Sequence, residues 1–475
     1  MDQLSGLDAA FLYLETDNAP MQIGGLSLLA AETPYGELDF EHFRELIRSR
    51  LDTSRTFRQK LVPVPFNLGK PYWTIDHDFD LDRHVEKTQL PEPGGLRELS
   101  ALMAYELEQP LPRDRPLWKF IFVEGLNDIG GMPEAAYGVI SMVHHAAIDG
   151  MSGAELIGSM FDPSPEGTPR PSQKMTEDDD AGRLGLLAQA GKNLLNTPKE
   201  LPGVVSQTLR GVAKAAMATL QRVKPPPMLF SAPRTRFNGA ISKQRSWSAA
   251  LLSLDRVRAI KKRADCTVND VILTVCAGAL RRYLESKDDL PEKKSLIAMV
   301  PISVRTEDER GSMGNQVSAM LVSLATDAST PLERLAKVRQ SARDSKTYHS
   351  AVGASTLTDY SEFIPFSLAG LSARLYTRFH LAERHNPLFN LVITNVPGPR
   401  IPLYVAGARL LCHCGAAPIF DGMGLILPVF SYADTISIGV VSSRDILPDP
   451  WVLSQGFKDA LDELEEALES EETSL

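Results

Sequence analysis

Tyr137-Gly138-Val139-Ile140-Ser141-Met142-Val143-His144-His145-Ala146-Ala147-Ile148-Asp149-Gly150 is the stretch on which the reading of this chain turns. Its first seven residues are an apolar, β-branched run of the length of a buried strand. The pattern that follows is H-H-x-x-x-D-G. An imidazole at the end of a buried strand is held rigidly while a ring nitrogen stays free to take a proton. A carboxylate four residues later can fix the loop or the ring, and Gly150 lets the backbone turn tightly. A histidine so placed can deprotonate a hydroxyl, amine or thiol that then attacks an acyl donor. Adjacent histidines alone would mean little in a chain with nine. The Asp and Gly at fixed offsets after a strand give the pattern its weight.

Composition narrows the classes. With 475 residues, 43% hydrophobic and 23% charged, the chain has the make-up of a soluble protein of two or three domains with a large core. A net charge of −10 argues against a nucleic-acid partner, which calls for basic surface. Cys266, Cys276, Cys412 and Cys414 fit no zinc spacing, and so few thiols suit a reducing compartment. The N-terminus lacks the basic and apolar regions of a secretion signal. No apolar run is long enough to span a bilayer, so membrane association is expected to be peripheral.

Outward from the motif, Leu117–Val123 reads as a neighbouring strand and Met151–Phe161 as a helix. Prolines at 163, 165, 169 and 171, then Glu177-Asp178-Asp179-Asp180, mark an exposed linker. Residues 183–224 hold seven basic residues against Glu200 alone. Val205, Leu209, Val212, Ala216 and Leu220 share one helical face there. Two readings stand: a linker helix packed on the body of the protein, or a basic amphipathic helix lying on an anionic lipid surface.

A second unit begins near Phe237. Thr267-Val268-Asn269-Asp270 opens a long helical pattern through Leu284, with a capping box of T-x-x-D type. Residues 295–304, 316–324 and 390–394 read as strands. Residues 331–348, 356–384 and 451–470 read as helices. Residues 426–432 and 435–442 read as a hairpin across Ala433-Asp434. Strands and helices alternate in both halves, which indicates an α/β protein of two similar halves without a fixed-period repeat. The expected division is 1–162, a linker at 163–236, and 237–475.

The motif resembles the signature of the coenzyme A-dependent acyltransferase superfamily. Other stretches narrow the likeness to the bacterial wax ester synthase/diacylglycerol acyltransferases. They are Leu4–Glu15 followed by Met21-Gln22-Ile23-Gly24-Gly25, Pro116-Leu117-Trp118, Asn269-Asp270, Pro301–Arg305, and Thr394–Pro399. The likeness covers nearly the whole chain. Gln22 departs from it, since many members have His there.

The resemblance implies two chloramphenicol-acetyltransferase-like domains, each a mixed β-sheet flanked by helices, with the active site in a tunnel between them. It implies acyl-coenzyme A as cosubstrate, a fatty alcohol or diacylglycerol as acceptor, and no other cofactor or metal. It implies His145 as general base, His144 in a positioning role, and Asp149 paired with an arginine, for which Arg305 is a candidate. Gly150 serves the turn. For Asn269 it adds a site role, holding His145 or the oxyanion, to the plain one of a first-turn residue beside the capping Asp270. Pro116, Leu117 and Trp118 would shape the tunnel wall, although a buried Trp is commonly core. The place implied is cytoplasmic, peripheral at the inner membrane or at lipid inclusions. Two other readings are a catalytically idle lipid-droplet protein and an amide-forming condensation domain. An intact motif argues against the first. The absence of a carrier module argues against the second.

Overall fold

The structure is a computed structural model. It describes residues 2–65, 69–127, 129–130, 132, 135–148, 160–168, 227, 230–303, 317–352 and 381–473. Two six-stranded mixed sheets dominate it. In the first sheet the spatial order is Tyr404–Val405, Ala408–Ala416, Gln22–Ala30, Ala135–His144, Trp118–Glu124, Val85–Gln89. Its neighbours run antiparallel except for the last pair. The second runs Arg245–Ser253, Thr435–Ser443, Leu425–Tyr432, Leu391–Pro397, Ile297–Ser303, Val317–Ser323. Leu391–Pro397 is parallel to both of its neighbours. The α/β architecture with mixed sheets is therefore as the sequence indicated.

Local chemistry explains most elements. In Ala135–His144 the inner residues are apolar on both faces, as a central strand requires. Val268–Glu285 starts at the capping box read from sequence: Thr267 Oγ1 accepts from the Asp270 N–H (3.1 Å), and Asp270 Oδ2 accepts from the Thr267 N–H (2.9 Å). This helix is buried almost all round. Gly456 of Pro450–Thr473 lets that helix pass close to Ala279. The 425–432/435–443 hairpin closes on Tyr432 opposite Thr435, with Ala433 in the left-handed region (φ 47°).

The division at 162 and 237 is not a clean cut through the sheets. Ala408–Ala416 leaves the C-terminal half and pairs with Gln22–Ala30, completing the first sheet. Asp162 and Tyr404 exchange main-chain hydrogen bonds at 2.9 Å, pinning the crossing segment to the end of the first half. The crossing strand covers what would be an open apolar edge. Cys412, His413 and Cys414 on it are all buried. His413 approaches so closely that a Cβ on Gly25 would lie 2.6 Å from its ring. The buried apolar residues of both sheets form one continuous core. No helix among the described residues is long and apolar enough to cross a membrane. The expected helices at 151–161, 183–224 and 356–384 lie wholly or largely outside the described residues.

Candidate active site

The strand Ala135–His144 ends on the first histidine, and His145–Ala147 form a single 3-10 turn. The adjoining chain holds both histidines by the backbone. The His144 N–H donates to Leu117 O (2.9 Å) and the His145 N–H to Met21 O (2.8 Å).

The two rings have opposite surroundings. His144 is 1% exposed. Its Nδ1 accepts from the Ala146 N–H at 3.0 Å. A backbone N–H can only donate, so Nδ1 carries the lone pair and Nε2 the proton. Nε2 then donates to Glu15 Oε2 at 2.9 Å. Both ring nitrogens of His144 are thereby spent on structure. His145 is only half-buried. Its Nδ1 is buried without a hydrogen-bond partner, and among the described residues none bonds Nε2. Its ring stacks on Phe11, 3.6 Å between centroids and 15° from parallel. Burial pushes its pKa down to about 4, partly opposed by its own main-chain carbonyl. The ring is neutral at physiological pH and able to accept a proton.

Glu15 caps the C-terminal end of helix Gly6–Leu14. Burial alone would raise its carboxyl, but the hydrogen bond from His144, the charge of Arg113 and the Met21 N–H outweigh that and hold it below the usual carboxylate range. Arg113 lies 2.9 Å from Glu15 Oε1.

An apolar pocket, partly open to solvent, lies along one face of the first sheet. Val139, Ser141 and Val143 of the motif strand line it, with Ile23 and Ser27 of Gln22–Ala30, and Phe43 of the helix Phe40–Arg50. Alternate residues of a strand share a face, so the cavity begins two residues from His145 and runs away from it.

The other expected residues fall as follows. Leu117 and Trp118 are wholly buried, and Trp118 stacks on His84 at 4.4 Å and donates to Phe57 O. This stretch does not line the cavity: Leu117 carries His144 on its carbonyl and Trp118 is core. Pro116 is buried beside them. Asp270 completes the capping box. Asn269 makes no hydrogen bond to His145. Its Oδ1 instead accepts from Asn395 Nδ2 at 3.2 Å, which joins two of the sequence motifs across 126 residues. Gln22 sits opposite His144 in the ladder, and its amide donates to Glu106 O at 2.9 Å. Asp149, Gly150 and Arg305 lie outside the described residues. Among the described residues no cluster of His, Cys, Asp or Glu could hold a metal ion.

Sequence reasoning gave no role to Phe11, Glu15, Met21 or Arg113. One signal was present. An acidic residue at a helix C-terminus, with no basic residue in the last turn, runs against the helix dipole and calls for another partner.

Comparison with known proteins adds the family. The catalytic-domain model of the wax ester synthase/diacylglycerol acyltransferases matches residues 4–272, and the C-terminal-domain model of that family matches 313–465. A putative diacylglycerol O-acyltransferase of Mycobacterium tuberculosis is 32% identical over 466 residues, covering 98% of this chain and 90% of that protein. The O-acyltransferase WSD of Acinetobacter baylyi is 33% identical over 461 residues, covering 94% of this chain and 93% of that one. The solved wax ester synthase/diacylglycerol acyltransferase of Marinobacter aquaeolei VT8 is similar with a TM-score of 0.69 at 28% identity, covering 98% and 99% of the two chains.

Proposed function

The chain belongs to the wax ester synthase/diacylglycerol acyltransferase family, and from that premise we propose how its residues carry out the acyl transfer of such an enzyme. His145 is the general base. It takes the proton from the acceptor hydroxyl as that oxygen attacks the thioester carbonyl of acyl-coenzyme A. The tetrahedral intermediate collapses, the C–S bond breaks, and the imidazolium returns the proton to the departing thiolate. No covalent acyl-enzyme is needed, because holding both substrates together supplies much of the rate. A base so placed contributes on the order of 10²–10⁴-fold.

One observation carries this reading. Of the two motif histidines, His144 has both ring nitrogens engaged, whereas the His145 ring is neutral and has no hydrogen-bond partner among the described residues. The cavity beside Val143 suits a hydrocarbon tail, because its lining is overwhelmingly apolar. The acceptor is a fatty alcohol or a diacylglycerol. The test is transfer from labelled palmitoyl-coenzyme A to hexadecanol or dipalmitoylglycerol. Wax ester or triacylglycerol forms with the parent protein, and His145→Ala abolishes most of it. Unchanged turnover in that variant removes the base assignment.

We further infer work at a lipid surface, at the inner membrane or a lipid inclusion, on the strength of the basic 183–224 segment. Basic residues near an anionic surface contribute about 1 kcal/mol each. Replacing Lys192, Lys199, Arg210 and Lys214 by Gln should weaken binding to anionic vesicles. Unaltered vesicle binding would remove the membrane role.

A further inference from the structure

The geometry points to Glu15 as a positioning residue for His145, acting through the His144 ring and the Met21 backbone. Glu15 belongs to neither the motif nor its strand. It stands 129 residues upstream of His144, on the helix that also carries Phe11.

Three restraints meet on this carboxylate. Oε2 accepts from His144 Nε2 at 2.9 Å and from the Met21 N–H at 3.2 Å. Oε1 takes the Arg113 guanidinium at 2.9 Å. Each restraint leads to His145 by one further step. Keeping the proton on His144 Nε2 leaves Nδ1 free to accept from Ala146, which caps the start of the 3-10 turn that begins at His145. Holding the Met21 N–H fixes the segment whose carbonyl takes the His145 N–H. Arg113 also donates to Leu12 O at 2.9 Å, and so ties down the helix whose Phe11 covers the His145 ring. The base is therefore gripped from its own chain, from the strand beside it and from the ring stacked on it. One anion is common to all three.

All three of Glu15's neighbours are donors. A carboxylate satisfies them with two acceptor oxygens, while an amide must turn one N–H group against a donor. The low pKa of Glu15 keeps that acceptor ionised throughout the working range. A proton-transfer group needs its partner within hydrogen-bond reach, and a displacement of about 1 Å can cost on the order of 10²-fold in rate.

This inference rests on His145 being the base, so His145→Ala is measured alongside. The assay is transfer from palmitoyl-coenzyme A to hexadecanol by the full-length protein, with kcat expressed per folded molecule and unfolding followed separately. Glu15→Ala should lower kcat about 100-fold and leave KM for both substrates within about twofold. Glu15→Gln should fall between the two, its amide nitrogen facing Arg113. Glu15→Asp keeps an all-acceptor carboxylate on an arm one carbon shorter and should retain more kcat than Glu15→Gln.

A merely structural brace would lower the unfolding temperature and leave kcat per folded molecule unchanged. That result would overturn the inference, as would a loss carried by KM or a Glu15→Asp variant no more active than Glu15→Gln. Should Glu15→Ala fail to fold, the comparison of Glu15→Gln with Glu15→Asp decides it. Full turnover by His145→Ala would instead overturn the base assignment, whatever the Glu15 variants do.

Discussion

The ring of Phe11 lies flat on the ring of His145, 3.6 Å away and 15° from parallel. The contact covers one face of the imidazole and restricts its rotation. Phe11→Ala should lower kcat about tenfold, a part of the 10²–10⁴-fold that a placed base contributes. Stability should fall by about 1 kcal/mol for the lost ring pair. Steady-state kinetics and urea unfolding of the same preparation test both. Unchanged kcat would mean the stack does not orient the base.

The pH dependence follows from burial. His145 and His413 are both held near 4 by desolvation, against an ordinary value of 6.5. Between those values the unfolded chain binds protons that the folded chain refuses. Stability is therefore complete above about pH 6.5 and declines as the pH falls toward 4. Unfolding midpoints at pH 7.5 and 5 should show the decline, and His413→Gln should flatten it. The free enzyme keeps a neutral His145 through the same range, so kcat/KM should stay level from pH 8 to about 5.5. An acid limb centred at 6.5 would contradict the lowered pKa of His145.

Asn269 and Asn395 bond each other at 3.2 Å, at the start of one helix and the end of one strand. If the pair acts as one unit at the site, Asn269→Ala and Asn395→Ala should each lower kcat by the same few-fold, and the double variant no further. Additive losses would show that the two amides act separately. Thr267→Ala is the structural control. It should cost about 1 kcal/mol through loss of the helix cap, with kcat per folded molecule retained.

The crossing strand depends on Gly25. A methyl group there would meet the His413 ring at 2.6 Å and Cys414 O at 2.7 Å. Gly25→Ala should destabilise the protein by about 1–3 kcal/mol, as overpacked interiors do. Denaturant unfolding measures it, and a neutral result would mean that the strand can slide outward at no cost.

What could be read from the chain beforehand was whatever neighbours in sequence decide. The motif strand, the T-x-x-D cap, the strands around 300 and 320, and the 425–443 hairpin all showed in apolar runs, capping residues and turn chemistry, which neighbouring residues carry whatever their distant partners are. Gln22–Ala30 was harder to see, since Gly24 and Gly25 dilute its β-signature. Those glycines are needed only because Ser141 O and His413 press against them.

The sequence by itself determined that a buried strand runs into His144, that a helix starts at Thr267, and that the chain is α/β. Only the tertiary structure decided which histidine is free, because that depends on Glu15 reaching across 129 residues to occupy His144. It also decided that Asn269 meets Asn395, that Trp118 is core, and that 408–416 belongs to the first sheet. Such contacts are fixed by how whole surfaces pack and by which edges need a partner, a sum over many weak terms that no local pattern records.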